Sequence, residues 1–232
     1  KYIMEQIRKK VNSIIGTLKK NDEFEIMFGN YLPSNKLSLI QFNNILKNMK
    51  VMKNELVKNI SLDIIVSSIK DDMSIAYRIT INNIKNINIF ASNIINKDND
   101  MIIDFLVNNY FDKDFTEFII KTKKRSDIYD DNTNDIRIRK SNEEIINKNT
   151  INKFRTGLKK AMDNNNMLYF RYKERMTSVI IDSSNAKLVL DSTIIKSNNN
   201  IKLLGTSANS YEIELDLMKK TKTISSSVIK TL

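Results

Sequence analysis

Apolar positions recur along this chain with two different periods, and the changes of period divide it into elements. Over residues 1–20, Ile3, Ile7, Val11, Ile14, Ile15 and Leu18 fall on one face at helical spacing, until Asn21-Asp22 interrupts the stripe. Residues 23–28 alternate as a strand that Gly29 ends. Ser34 stands at a capping position for a helix to about Met49, with Leu37, Ile40, Ile45 and Leu46 inward. Strands are expected over 55–69 and 74–82 around an Asp71-Asp72 turn, and helix in two pieces over 83–110, broken near Lys97-Asp98-Asn99-Asp100. A strand over 115–126, a polar turn over 126–134 and a returning strand over 135–141 read as an antiparallel hairpin. A short helix over 151–162 precedes strands at 167–177, 178–183, 186–195, 200–205 and 210–217. Residues 218–232 read as a tail or linker. The whole predicts one α+β domain over 1–232, mainly antiparallel β.

The strands carry charge at period two. Glu23 and Glu25 share a face, as do Glu212 and Glu214; Arg171, Lys173 and Arg175 share another. Arg78, Lys121, Lys123, Arg125, Arg137 and Arg139 follow the same alternation elsewhere. A half-buried sheet would put these charges in water, whereas a closed barrel with a polar interior would put them in its lumen. Periodicity alone leaves both arrangements open. Should the two acidic strands lie side by side, their carboxylates would repel one another unless a cation sat between them. The basic row is suited to phosphate oxygens, because Arg forks onto them and Lys supplies a point charge.

Composition narrows the chemistry. The chain has 232 residues, 41% of them hydrophobic, enough for one large domain. It holds no Cys and no His, which excludes disulfides, thiolate nucleophiles, Ser-His-Asp triads and imidazole metal ligation within it. A metal here must take oxygen ligands, which favours Mg²⁺, Mn²⁺ or Ca²⁺. The net charge of +11 favours polyanionic partners such as RNA or DNA. No apolar run approaches a membrane span.

In order, Glu23-x-Glu25-x-x-Phe28-Gly29, Arg171-x-Lys173-x-Arg175 and Glu212-x-Glu214-x-Asp216 resemble the motifs of the metal-dependent RNA 5′-triphosphatases. These are triphosphate tunnel metalloenzymes, found among fungal, protozoal and large-DNA-virus capping enzymes. The resemblance runs from residue 23 to 216 and implies an eight-stranded closed β-barrel with helices packed outside. It implies that Glu23, Glu25, Glu212, Glu214 and Asp216 serve Mg²⁺ or Mn²⁺, and that Arg171, Lys173 and Arg175 hold the triphosphate. Asp182 matches the acid of a family Arg-x-Asp-x-Thr strand, although Ile180 and Ser184 replace its neighbours. Arg78, Lys121, Lys123, Arg137 and Arg139 fit the family's basic interior, and Glu143 or Glu144 its water-positioning carboxylate.

The implied activity is removal of the γ-phosphate from 5′-triphosphate RNA, and from free nucleoside triphosphates, as the first step of cap formation. The implied partners are guanylyltransferase and methyltransferase domains on a longer polypeptide. A monomer without membrane attachment is expected, in a virion or the host cytoplasm. Two other readings remain: a non-catalytic basic RNA-binding module, and a tunnel enzyme for inorganic triphosphate.

Overall fold

Nine antiparallel strands realise the alternating segments. The computed structural model describes residues 2–19, 21–29, 36–51, 56–131, 135–163 and 167–219. In chain order they form α1 (Tyr2–Gly16), β1 (Asp22–Phe28), α2 (Leu39–Val51), β2 (Leu56–Lys70), β3 (Met73–Asn82), α3 (Ile84–Ile94) and α4 (Asn99–Tyr110). Then come β4 (Thr116–Lys124), β5 (Ile128–Asp131), β6 (Ile136–Ile145), α5 (Ile151–Asp163), β7 (Tyr169–Asp182), β8 (Ala186–Asn198) and β9 (Ser210–Lys219).

The strand order is β1-β9-β8-β7-β2-β3-β4-β6, and β6 pairs back onto β1, so eight strands close into a barrel. Closure leaves these strands no open edge to satisfy. The ninth, β5, lies on β6 beside the closed ring. It pairs with Ile136–Arg139, while β4 pairs with Asn142–Ile145 further along the same strand. The expected turn over 126–134 therefore contains the end of a 3₁₀ turn (Arg125–Asp127) and a short strand.

Tight backbone positions fall on residues suited to them. Asn21, Asp71, Asn83 and Asp135 adopt positive φ, which Asn and Asp tolerate better than other side chains. Gly29, at φ 66, ends β1; a Cβ there would meet Leu37 Cδ2 at 2.9 Å. At Gly157 a Cβ would lie 2.3 Å from the Tyr77 hydroxyl, so glycine lets α5 approach β3.

The apolar faces of the strands point outward, under the helices. One cluster joins Leu62, Ile64, Ile79, Ile81 and Phe118 of the barrel to Phe90, Leu106 and Phe154 of α3, α4 and α5. A second joins Phe24, Ile26, Ile138, Leu188 and Leu217 to Val11, Ile14 and Ile15 of α1 and to Leu18 just beyond it. Asp98 caps α4 by accepting from the Met101 amide at 2.8 Å, which explains the break at 97–100.

Several expectations are corrected. Residues 167–177 and 178–183 belong to one strand, β7, whose β-bulge at Val179/Ile181 breaks the alternation. The strand expected over 200–205 is replaced by a 3₁₀ helix, Ile201–Thr206, which Asn200 caps by accepting from the Lys202 amide. Ser34 lies outside the described residues; Ser38 and Gln41 cap α2 reciprocally, the Gln41 amide donating to Ser38 Oγ and the Ser38 amide to Gln41 Oε1. On α2 the buried residues are Phe42, against Tyr211, and Met49, which accepts from Ser192; Ile40 is exposed. β9 runs to Lys219, so the expected tail from 218 begins inside a strand. No helix among the described residues is long and apolar enough to cross a membrane.

Candidate active site: an ionic tunnel

Because helices cover the outer faces, the alternate residues of each strand fill the lumen. The lumen is a cavity of about 670 Å³. Its lining includes seven cations (Arg78, Lys121, Lys123, Arg139, Arg171, Lys173, Arg175) and seven acids (Glu23, Glu25, Asp63, Glu117, Glu212, Glu214, Asp216). Long-range pairing of β1 with β9 sets Glu25 opposite Asp216, with Glu214 two positions along the same face. The acidic wall is flanked by β6 and β4 on one side, and by β8 and β7 on the other. Both flanks carry cations.

Glu25, Glu214 and Asp216 each offer an oxygen within 4.8 Å of the others, and all three are buried. Burial raises the Asp216 carboxyl well above its ordinary 3.8, and repulsion from Glu214 and Glu25 raises it further. Burial, then Glu25, also pushes Glu214 up. Glu25 behaves oppositely. Burial opposes its ionisation, but Arg139 and Lys121 beside it hold its carboxyl well below the usual range. Among the described residues, the buried Asp216 Oδ1 has no hydrogen-bond partner. An oxygen-only set with an orphaned carboxylate oxygen suits a hard divalent cation. Glu23 and Glu212 line the same lumen but lie outside this triad. Glu23 is bonded to Lys121 and, at 3.3 Å, to Ser141, while Arg171 Nη2 reaches Glu212 at 3.0 Å.

Most lumen cations are paired. Arg139 forks onto Glu25 and reaches Glu214 at 3.2 Å. Lys173 meets Asp63 at 2.6 Å, and Arg175 meets Asp191 at 2.9 Å and Glu214 at 3.8 Å. Asp63 is in turn held by the Thr80 hydroxyl at 2.9 Å. Burial and the neighbouring Arg175 and Arg171 push Lys173 down despite Asp63. Lys123 has no carboxylate within ion-pair distance among the described residues. Burial, then Arg139 and Lys121, push it down to about 8. A side chain so placed gains from an incoming anion.

The other sequence-level candidates separate by position. Arg78, Lys121 and Arg139 line the lumen as expected. Arg137 sits outside the lumen lining, where Nε bonds Asp130 on β5 at 2.6 Å. Asp182 is exposed at the far end of β7, in register with Lys187, away from the cation row. Glu143 and Glu144 point to opposite faces. Glu143 faces Arg78 at 3.2 Å and Lys121 at 3.1 Å, whereas Glu144 meets Lys153 of α5 at 2.9 Å. Although burial opposes its ionisation, Lys121 and Arg78 lower the Glu143 carboxyl.

Asp63 and Asp191 were not singled out by motif. Each is a lone acid in an apolar strand, Leu62-Asp63-Ile64 and Leu190-Asp191-Ser192, and the readable signal was an acid at the inward phase of a run too apolar to be solvated.

The fold is a tunnel: a closed eight-stranded antiparallel barrel with outer helices and a charged lumen. Solved structures that share it include those of the mimivirus capping enzyme. The RNA triphosphatase domain of that trifunctional mRNA capping enzyme superposes with a TM-score of 0.66 at 24% identity, over 95% of this chain and 87% of that one. Triclinic and monoclinic crystal structures of the mimivirus triphosphatase give TM-scores of 0.67 and 0.68 at 21% and 22% identity, over 98% of this chain and 92% of theirs. No protein-family model and no curated protein sequence matches the chain.

Proposed function

We propose that this tunnel hydrolyses the terminal phosphoanhydride of 5′-triphosphate RNA, giving a 5′-diphosphate end and inorganic phosphate. The observation that carries this reading is the buried Glu25–Glu214–Asp216 cluster flanked on both sides by cation rows in a closed lumen. The likeness to the mimivirus triphosphatase structures supports it. Free nucleoside triphosphates present the same phosphate chain and belong to the same substrate class. The product is the acceptor for a guanylyl transfer, so guanylyltransferase and methyltransferase domains are the expected partners. The trifunctional nature of the mimivirus enzyme agrees with that.

Phosphoryl transfer needs positioning and charge neutralisation more than covalent help. Glu25, Glu214 and Asp216 would hold Mg²⁺ or Mn²⁺, which when bound offsets charge on phosphate oxygens. Arg139, which pairs with Glu25 and Glu214, stands beside the acidic cluster and would offer its guanidinium to a phosphate oxygen. Arg171, Lys173 and Arg175 lie along one strand face and follow the phosphate chain. Lys123 adds a cation that has no carboxylate to give up among the described residues. Glu143, kept ionised by Lys121 and Arg78, is the carboxylate placed to accept a hydrogen bond from water.

Release of phosphate from γ-labelled triphosphate RNA, with Mg²⁺, Mn²⁺ or chelator, tests the proposal. Metal-dependent release leaving a diphosphate end is expected. Chelator-insensitive RNA binding without release would instead mean a non-catalytic binding module.

A further inference from the structure

The lumen is not charged over its whole wall. Its apolar lining residues are Ile65, Ala76, Met167 and Tyr169, and they gather where β2, β3 and the start of β7 adjoin. Tyr169 pairs in register with Ile65 on β2. Ala76 lies on the adjoining β3 opposite Ser67, two positions beyond Ile65 on the same face. Tyr169 opens β7 and Met167 precedes it, at 42% and 66% exposure, so the ledge faces solvent at a mouth of the tunnel. Asn199 Nδ2 lies 3.3 Å from Met167 Sδ and steadies it.

From this ledge the same face of β7 continues as Arg171, Lys173 and Arg175. Their partners change along the row, from Glu212 to Asp63 to Asp191 and Glu214. Arg175 therefore stands beside the carboxylate cluster, and Tyr169 stands at the other end of the row. Each two-residue step advances about 6.6 Å, so the row from Tyr169 to Arg175 spans about 20 Å.

We infer that the Tyr169–Met167 ledge takes the base of the first RNA nucleotide, fixing the direction in which substrate enters. The inference rests on the triphosphatase reading. A 5′-triphosphate nucleotide presents, in line, an aromatic base, a sugar and three phosphates. β7 presents, in line, an aromatic ring beside a thioether and then three cations. With the base on Tyr169, the terminal phosphate lies toward Arg175 and Glu214, where the acidic cluster is. Every base has a π-face and methionine adapts its shape, so the ledge tolerates any first nucleotide. The chain leaves past Met167, which also borders a second cavity of about 610 Å³ whose lining includes Lys97, Lys202, Asn96 and Asn199 beside one acid, Asp98. Those side chains supply donors for the next phosphates. Inorganic tripolyphosphate has nothing to set on the ledge.

Kinetics of the wild type, Tyr169→Ala and Tyr169→Phe with a triphosphate-ended dinucleotide and with inorganic tripolyphosphate test this directly. Tyr169→Ala should raise KM for the dinucleotide about tenfold relative to tripolyphosphate, and Tyr169→Phe should restore the wild-type ratio. Equal shifts for both compounds, no shift, or a Phe variant as impaired as Ala would overturn the ledge. If the wild type releases phosphate from neither compound, the triphosphatase reading fails, and equilibrium dialysis decides the ledge separately. Wild type should then bind the dinucleotide more tightly than tripolyphosphate, and Tyr169→Ala should lose that preference; no preference in the wild type would overturn it.

Discussion

On β2, Leu62, Ile64 and Val66 point outward into an apolar cluster, while Ser61 and Asp63 on the opposite face line the lumen. The same division runs through β9, where Leu217 packs beneath α1 and Glu214 and Asp216 face inward. The two faces of one strand are thus stabilised by different physics. The outer face gains from burying hydrocarbon, about 25 cal/mol per Å² removed from water. The inner face buries ionised groups, which costs free energy and is offset only by close pairing. Asp216 Oδ1, without a hydrogen-bond partner among the described residues, marks where that compensation is incomplete. Stability is therefore concentrated on the outside and chemistry on the inside, and substitutions on the two faces should separate accordingly.

Phe154→Ala gives the largest expected effect on the outer face. The ring is fully buried, with edge contacts to Tyr77 and Phe118. Urea unfolding should show a loss of about 3–5 kcal/mol, while the folded fraction keeps its rate of phosphate release. On the inner face, Glu25→Ala should lower the rate of phosphate release by about 10²–10³ or more, with the barrel intact by circular dichroism. A Glu25→Ala enzyme at full rate would sink the assignment of the acidic cluster.

Asp216→Asn sharpens the comparison through pH. A carboxyl whose folded pKa is raised costs stability as pH climbs from its unfolded value through the folded one. Asp216 is raised from 3.8, so that cost is absent in strong acid and complete once pH has passed the raised value. With chelator present, Asp216→Asn should melt higher than wild type at alkaline pH, and the gap should close as pH falls. Added Mn²⁺ should raise the wild-type melting temperature more than that of the variant. A gap independent of pH would contradict the raised carboxyl.

The smallest effect comes from adjacent residues on opposite faces. Glu143→Gln should reduce the rate at least about tenfold, because the carboxylate lies among Arg78 and Lys121. Glu144→Gln removes only an outer ion pair with Lys153, worth less than about 1 kcal/mol, and should leave the rate unchanged. Similar rates for the two variants would erase the distinction between faces.

Much of this division is legible in the sequence. Strand alternation, the two acidic pairs and the basic row of β7 are local patterns, and local patterns survive in a one-dimensional reading. Barrel closure does not, because β1 meets β6 across more than a hundred residues and no periodicity encodes the partner. Asp63 and Asp191 carry no local motif, because each stands alone in an apolar run and its importance comes from Lys173 and Arg175 brought up by β7. The bulge at Val179/Ile181 made one strand read as two. Arg137 and Arg139 share a phase, but β5 supplies Asp130 to the first while Glu25 and Glu214 reach the second.

The most direct test of the central claim is γ-phosphate release from triphosphate RNA as Mn²⁺ is titrated, comparing wild type with Glu214→Gln. Saturable metal-dependent release by the wild type, reduced about a hundredfold or more in the variant, is the predicted result. Release that ignores metal, or a variant as active as wild type, would contradict the placement of the chemistry inside the barrel.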